Sequence, residues 1–435
     1  MRAVPEFDRS ISGSVHVIGA GLAGLACATR LAEAGQPVIL HEAGEQPGGR
    51  CRSYHDRTLD RTLDNGNHLI LGANPHIFRY LDRIGGRCGL TAVAPAALPF
   101  LDLADGTGWT LRPGRTPLPL WLLDPARRVA GVGAAAHLDL LRLALAPPAA
   151  SVADRLERAP PSSRLLWRRL WRPLAVSVLN TPAETGSARL LWTVVHRTLL
   201  RGEAACRPHL ARHGLSAALV EPALALLAAR GMPLHRHSRI RALEINDGRV
   251  TTLHRAGDAI ALSPRDRVVL AVPPEAAAAL VPGLTVPDRH HAILNAHFRL
   301  PAPVPLPGGS PLLGLVGGTA EWLFLRGDVA SVTVSAADAL LDRPAEVLTQ
   351  CLWADLGRAL GLSGPCPPVR LIKEKRATFA ATPAQLARRP GARTALANLL
   401  LAGDWTDTGL PATIEGAVQS GHHAADLLLT AGAPG

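Results

Sequence analysis

Between residues 15 and 24 a short apolar strand, Val15-His16-Val17-Ile18, runs straight into the turn Gly19-Ala20-Gly21-Leu22-Ala23-Gly24, and an alanine-rich helix continues to Ala34. Few patterns restrict a fold so tightly, because the three glycines have separate jobs. Gly19 permits the tight turn, Gly21 lets backbone N–H groups approach a diphosphate, and Gly24 allows helix and strand to pack closely. The diphosphate rests at the helix N-terminus, where unpaired amides and the helix dipole favour negative charge. The next strand, Pro37-Val38-Ile39-Leu40-His41-Glu42, ends in a carboxylate eighteen residues after Gly24, where a ribose-binding acid belongs. Strand, turn, helix, strand and acid together specify a Rossmann-like α/β domain that binds a dinucleotide.

The next segment, Gln46-Pro47-Gly48-Gly49-Arg50-Cys51, resembles the G-G-R extension of the flavoprotein amine-oxidase and phytoene-desaturase superfamily. There it continues the phosphate and ribityl cradle of FAD, and two glycines before an arginine suit a second close approach to an anion. A matching end lies almost four hundred residues on, where the strand Asn398-Leu399-Leu400-Leu401-Ala402 precedes Gly403-Asp404 and the helix opening Thr413-Ile414-Glu415-Gly416-Ala417. The resemblance implies that Asp404 meets the ribityl chain or the pyrophosphate, and that the amides at Thr413 and Ile414 face the O2/N1 edge of the flavin. FAD is therefore the expected cofactor. Its expected cradle is Gly19, Gly21, Gly24, Glu42, Gly48, Gly49, Arg50, Ile240, Gly403, Asp404, Thr413 and Ile414, with Ile240 close to the adenine.

Three stretches read as cofactor domain: 14–94, 221–279 and 365–432. In the second, Leu234 to Ile245 alternates as a strand, Asn246-Asp247-Gly248 turns it back into Arg249-Val250-Thr251-Thr252-Leu253, and Arg267 to Val272 returns to the parallel sheet. This is the β-meander order of the superfamily. Between them lies a discontinuous α+β substrate domain. Its first part, 95–220, reads as mostly helical, with breaks at Ala146-Pro147-Pro148 and Ala159-Pro160-Pro161; its second part, 280–364, holds strands at His297-Phe298-Arg299-Leu300 and Val329 to Ser335.

A chain of 435 residues with 47% apolar residues buries a large core. Met1 to Gly13 has no apolar signal-peptide core, and apolar runs such as Leu215 to Ala229 are interrupted by Glu221-Pro222, so the expected place is the cytoplasmic side. The six cysteines show neither C-x-x-C pairing nor zinc spacing, and no metal is expected. The net charge of +11 is carried by arginine, Lys373 and Lys375 being the only lysines. Such a surface suits an anionic partner. No nucleic-acid motif accompanies it, so nucleic acid is not expected. Membrane lipid fits better, and the stretch Arg164-Leu165-Leu166-Trp167-Arg168-Arg169-Leu170-Trp171-Arg172 has the mixture of an interfacial segment at the inner face of the membrane. It equally fits a core helix with outward arginines, and a genomic arginine bias accounts for the charge as well.

A closer resemblance rests on Asp64-Asn65-Gly66-Asn67-His68, Leu179-Asn180-Thr181-Pro182, Lys373-Glu374-Lys375-Arg376-Ala377-Thr378-Phe379 and the run Gly403 to Gly416. Together these are similar to the hydroxysqualene dehydroxylases, also called squalene-associated FAD-dependent desaturases, from about residue 14 to 430. The resemblance implies reductive dehydroxylation of hydroxysqualene to squalene for hopanoid synthesis. It also implies an apolar polyprenoid substrate, an electron donor that the sequence does not identify, and contact with other squalene-pathway enzymes. Only two tyrosines, Tyr54 and Tyr80, are present, and Thr413 stands where an amine oxidase carries a cage aromatic, which makes amine oxidation unlike this chain. Loss of a hydroxyl needs a proton on the departing oxygen. His68 is the first candidate donor, with Asp64 holding its ring, against the plainer reading of a loop histidine bonded to backbone; Asp407 and Thr408 are second candidates. Two alternatives stand beside this reading: a carotenoid-type desaturase working in the oxidative direction, and an FAD-holding membrane scaffold.

Overall fold

Strands apolar on both faces need cover on both sides, and here they pair in parallel. In a computed structural model describing residues 13–157 and 163–431, β1 (Val15–Ile18), β2 (Val38–His41), β10 (Leu234–His235), β14 (Arg267–Leu270) and β20 (Leu399–Leu401) form a parallel sheet ordered β10-β2-β1-β14-β20. The helix Leu22–Glu33 covers one face and buries ten of its twelve residues. Its small side chains let the last helix, Ile414–Ala431, come very close: a methyl on Gly421 would stand 2.1 Å from the Ala23 carbonyl oxygen. The helix Pro75–Ile84 joins the pair, and the Glu415 carboxylate accepts its first amides, from His76 at 3.0 Å and Ile77 at 2.9 Å. Because the strands are parallel, Gly19, Glu42, the loop after His235 and Gly403 all emerge at the same carboxyl edge, where open α/β sheets bind ligands.

The stretch expected as one strand, Leu234 to Ile245, is divided between two sheets. Leu234 and His235 extend the parallel sheet, residues 236–241 turn away with His237 at φ +53°, and β11 (Ala242–Asn246) begins a three-stranded meander with β12 (Arg249–His254) and β13 (Ala259–Ala261). One alternating pattern satisfies both sheets. The expected turn is present, with Asp247 at φ +50° and Gly248 at φ +69° as a primed hairpin requires.

A seven-stranded sheet forms the second layer, ordered β19-β15-β18-β17-β16-β7-β8. Its members are β7 (Leu98–Asp102), β8 (Gly108–Leu111), β15 (His290–Arg299), β16 (Leu312–Val316), β17 (Trp322–Arg326), β18 (Val329–Val334) and β19 (Val369–Phe379). The region 95–220, expected to be mostly helical, thus opens with two strands; Phe100 stacks on Trp109 across their pairing at 5.6 Å between ring centres. A small sheet of β5 (Ile70–Leu71), β6 (Leu90–Ala92) and β9 (Pro208–Ala211) and the hairpin β3 (Ser53–Asp56) with β4 (Arg61–Asp64) complete the strands. Short helices fill most of 120–229. The break at Ala146-Pro147-Pro148 separates two of them, whereas Ala159-Pro160-Pro161 lies outside the described residues.

Of the two readings of the arginine–tryptophan stretch, the core helix is the one the structure has, with Arg168 and Arg172 outward and Arg169 not. Trp167 and Trp171 are buried, and so is Arg169, whose Nε lies 3.1 Å from Asp102 and whose Nη2 lies 2.6 Å from Asp105. Among the described residues no helix is long and apolar enough to cross a membrane.

Candidate active site

The three glycines of the first turn differ in what surrounds them. A methyl on Gly24 would stand 1.9 Å from the Gly19 carbonyl oxygen, and Gly19, at φ +103°, has no room either. A methyl on Gly21 would meet no protein atom within 4 Å. That open side lies at the start of a helix with no side-chain cap, so its first amides face the same space. This is the fit of a diphosphate. Glu42 stands beside the turn, one oxygen accepting the Ala20 N–H at 3.0 Å and the other the Gly44 N–H at 2.8 Å.

The second glycine pair is bonded onto the first: Gly48 N–H donates to the Ala20 carbonyl at 2.8 Å, and Gly49, at φ +58°, would set a methyl 3.4 Å from Gly21 Cα. Arg50 then reaches across the molecule. Its Nη2 lies 2.7 Å from both oxygens of Asp404, and its Nη1 donates to the Ala377 carbonyl at 2.6 Å. The Asp404 carboxylate holds the guanidinium firmly charged. Arg50 keeps 45% of its side-chain surface accessible and Asp404 7%, so the guanidinium lines open space and the carboxylate does not.

The four motifs quoted from distant parts of the sequence meet here. Asn65 Nδ2 donates to Glu374 at 3.2 Å, Asn180 Nδ2 to Thr378 at 2.9 Å, and the Ala381 N–H to Thr181 Oγ1 at 2.8 Å. With the Arg50 contacts, these tie residues near 65, 180, 375 and 404 into one assembly.

Arg389, which the sequence reading passed over, organises the loop after Gly403. Its buried guanidinium donates to the carbonyls of Leu410 at 2.9 Å and Asp404 at 3.0 Å, to Thr408 Oγ1 at 3.0 Å, and to the Thr406 carbonyl, while lying over the Phe379 ring. Nothing local distinguishes Arg389 from Arg388. Gly403 is required by Trp405, whose Nε1 would lie 2.4 Å from a methyl there and instead donates to the Val272 carbonyl at 2.9 Å. Thr413 caps the last helix by accepting the Gly416 N–H at 3.1 Å, and the first-turn amides at Ile414 and Glu415 have no intrahelical partner. Ile240 is buried in the loop between the parallel sheet and the meander.

The expected acids stand differently. Asp64 is not the partner of the His68 ring: its carboxylate accepts from Ser53 Oγ at 2.6 Å, the Leu215 N–H at 2.8 Å and Arg326 Nη1 at 2.9 Å. Enclosure pushes His68 down to about 4, with Asp64 pulling upward and Arg50 pushing down, so its ring is neutral at pH 7. That shift runs against the expected role of an imidazolium donor. Asp407 is exposed, and the Thr408 hydroxyl is taken by Arg389 and by the Leu410 N–H at 3.2 Å.

A different carboxyl holds a proton near neutrality. Half-buried Glu321 is pushed up to about 7 by burial, opposed by the Ser335 N–H at 2.8 Å and by Arg172. Its own N–H donates to the Thr333 carbonyl at 3.2 Å, and Thr333 Oγ1 accepts from Asn67 Nδ2 at 3.0 Å. Glu321 is thus one residue removed from the His68 loop. The Tyr80 hydroxyl is buried on the Leu219 carbonyl at 2.7 Å, and Tyr54 lies on β3. Among the described residues no group of His, Cys, Asp or Glu is placed to hold a metal ion.

Residues 22–429 match the sequence profile of the flavin containing amine oxidoreductases. A relative named hydroxysqualene dehydroxylase, from Rhodopseudomonas palustris (strain ATCC BAA-98 / CGA009), is 48% identical over 97% of this chain and 100% of its own length. The chain belongs to the hydroxysqualene dehydroxylase family. FAD is the cofactor of this family member, and the chain is an FAD-dependent oxidoreductase. The likeness to a Synechococcus elongatus protein named "Probable zeta-carotene desaturase" is shorter, 26% identical over 54% of this chain and 52% of the other. Among solved structures, cyclohexylamine oxidase from Brevibacterium oxydans IH-35A shares the fold of this dehydroxylase-family chain, with a TM-score of 0.66 over 97% of this chain and 99% of the other at 16% identity.

Proposed function

We propose that this chain reduces hydroxysqualene to squalene, a reading supported by its end-to-end relative being named hydroxysqualene dehydroxylase. The observation that carries the reading is the full-length identity of 48%, against which the desaturase likeness covers about half of either chain. The carotenoid-desaturase alternative is therefore not favoured.

Dehydroxylation breaks a C–O bond and forms a C–H bond; it consumes a hydride and a proton and releases water. Reduced FAD, when bound, supplies the hydride. The glycine turns and first-helix amides would receive its diphosphate, Glu42 its ribose, and Arg50 with Asp404 would close the cleft on its middle. The proton has to be held by an acid that still carries it near pH 7, because hydroxide is a poor leaving group. Glu321 meets that requirement and His68 does not. A neutral His68 can still orient the substrate oxygen through a hydrogen bond.

The test is anaerobic. The holoprotein is photoreduced and mixed with hydroxysqualene, flavin reoxidation is followed by absorbance, and the extract is assayed for squalene. One squalene per flavin reoxidised is expected. A flavin that stays reduced with hydroxysqualene, while the oxidised protein bleaches with an unoxygenated polyene precursor, would transfer the chain to the desaturases.

A further inference from the structure

Seven large apolar side chains stand out as exposed among the described residues, and six of them lie within one short stretch: Leu118, Leu120, Leu123, Leu138, Leu141 and Leu145. Leu118 keeps 64% of its surface and Leu145 78%. These leucines do not sit on a loose loop. Their neighbours Val129, Val132, Leu140 and Leu143 are buried in the same core cluster as Trp167 and Trp171, and Trp121 is buried as well. Arg128 staples the two halves of the stretch together, donating to the Leu122 carbonyl at 2.5 Å, the Leu123 carbonyl at 3.0 Å and the Val132 carbonyl at 2.8 Å. The result is a firm platform with leucines in and out by turns, and its outer face has the composition of an interior. Single exposed leucines need no explanation, but six on one platform mark an interaction surface.

The charge around it says what kind. Residues 112–145 contain five arginines, Arg112, Arg115, Arg127, Arg128 and Arg142, and two acids. Asp139 is paired with Arg142 at 3.4 Å, and Asp124 caps its own turn by accepting the Ala126 N–H at 2.9 Å. Leucines rimmed by arginine fit the hydrocarbon edge and phosphate layer of an anionic bilayer, into which an apolar platform sinks without spanning. We infer that the Leu118–Leu145 platform is the surface by which this protein docks on anionic lipid. The tryptophan stretch that first suggested lipid contact lies beneath the platform and braces it. The inference rests on the polyprenoid reading above, since a substrate that apolar resides in the bilayer.

The test measures docking separately from chemistry. Holoprotein is floated with vesicles of pure phosphatidylcholine and with vesicles containing 30% phosphatidylglycerol, a composition chosen as about one anionic lipid in three. The variant Leu123→Ser/Leu141→Ser/Leu145→Ser is floated beside it, and squalene formation from detergent-dispersed hydroxysqualene is assayed for both. Wild type is expected to bind the anionic vesicles, more weakly at high salt, and the variant to lose roughly tenfold or more in vesicle affinity with turnover in detergent retained. Equal vesicle binding by both proteins overturns the inference. So does a wild-type dimer that the variant converts to monomer, which makes the platform a contact between copies. Absence of squalene with vesicle binding intact would count against the proposed reaction and leave the docking surface standing.

Discussion

Arg50 and Asp404, 354 residues apart, meet with one guanidinium nitrogen 2.7 Å from both carboxylate oxygens. The contact joins the glycine cradle at the start of the chain to the loop after the last strand, and it lies on the wall of the cleft. Removing either partner should loosen FAD more than it loosens the fold. Because Arg50 keeps much of its surface accessible, the expected loss is at the lower end for a charge-assisted bond: Arg50→Met or Asp404→Asn weakens FAD binding about tenfold, or about 1.4 kcal/mol. Arg50→Lys restores the charge without the reach to the Ala377 carbonyl and recovers only part of it. Fluorescence titration of apoprotein with FAD reads all three, and unchanged affinity in Arg50→Met would remove the pair from cofactor binding.

Gly21 and Gly24 are three residues apart and should respond in opposite ways to the same added methyl. In Gly21→Ala the methyl meets no protein atom, so apoprotein stability should stay within about 1 kcal/mol of wild type while FAD affinity drops at least about tenfold. In Gly24→Ala the methyl is driven into the Gly19 carbonyl, so the fold itself should lose several kcal/mol, on the order of 3. Denaturant unfolding of apoprotein and FAD titration separate the two; a destabilised Gly21→Ala would mean that its open side is not the cofactor cleft.

What the sequence discloses is what short spacing fixes. Gly19, Gly21, Gly24 and Glu42 sit at intervals dictated by one strand–turn–helix–strand unit, and Gly403-Asp404 follows a strand that the same sheet requires. Partnerships over long spans stay hidden. Arg169 looks like the outward arginine of an interfacial helix until Asp102, 67 residues earlier, is seen holding it in the core. Asp64 and His68 seem paired because they are near in sequence, yet Asp64 ends β4 and its carboxylate serves Ser53 and Arg326. Leu120 and Leu141 read as core because apolar residues are usually buried; only their neighbours Trp121 and Leu143 are. The proton affinity of Glu321 depends on enclosure by several elements, a quantity no local pattern carries.

Arg389 holds the Gly403 loop through carbonyls and the Thr408 hydroxyl, so no acid needs to be mutated to test it. Arg389→Met leaves the acceptors of Asp404, Thr406 and Leu410 buried without a donor, which should cost on the order of 3 kcal/mol. Arg389→Lys reaches fewer of them and should fall between. Thermal unfolding of apoprotein shows the loss directly; an unaltered melting temperature would mean the loop is held by other contacts.

Three buried histidines set the acid side of stability. Burial, with neighbouring positive charge, pushes His41 and His422 down to about 3 and His297 to about 4. Above pH 6.5 each ring is neutral folded or unfolded. As pH falls below that, the unfolded chain takes up protons that the folded chain refuses, so each histidine removes up to about 1.4 kcal/mol per pH unit. Glu321 and Glu415, both raised by burial, work in the other direction, but the lowered histidines, His68 and His76 among them, outnumber these two carboxyls. The melting temperature of apoprotein is expected to fall by several degrees between pH 7 and 5.5, above the range where ordinary carboxylates titrate. A flat profile would show that the three rings accept protons in the native state.

Glu321 supplies the pH limit of turnover if it carries the proton to the departing oxygen. Its carboxyl, pushed up to about 7 by burial, is protonated below that pH and ionised above it, so the rate of squalene formation should be level on the acid side and fall about tenfold per unit well above pH 7. Glu321→Gln keeps the shape and the Ser335 contact but has no proton to give; it should retain FAD and lose about 100-fold or more in the reductive half of the cycle. Glu321→Asp should keep the alkaline fall at reduced rate, which a purely structural role would not produce. Single-turnover flavin reoxidation across pH 5.5 to 9 distinguishes these cases, a range about two pH units either side of neutrality chosen to bracket the carboxyl. If Glu321→Gln turns over at the wild-type rate with the same pH profile, the proton comes from elsewhere, and His68 becomes the group to alter next.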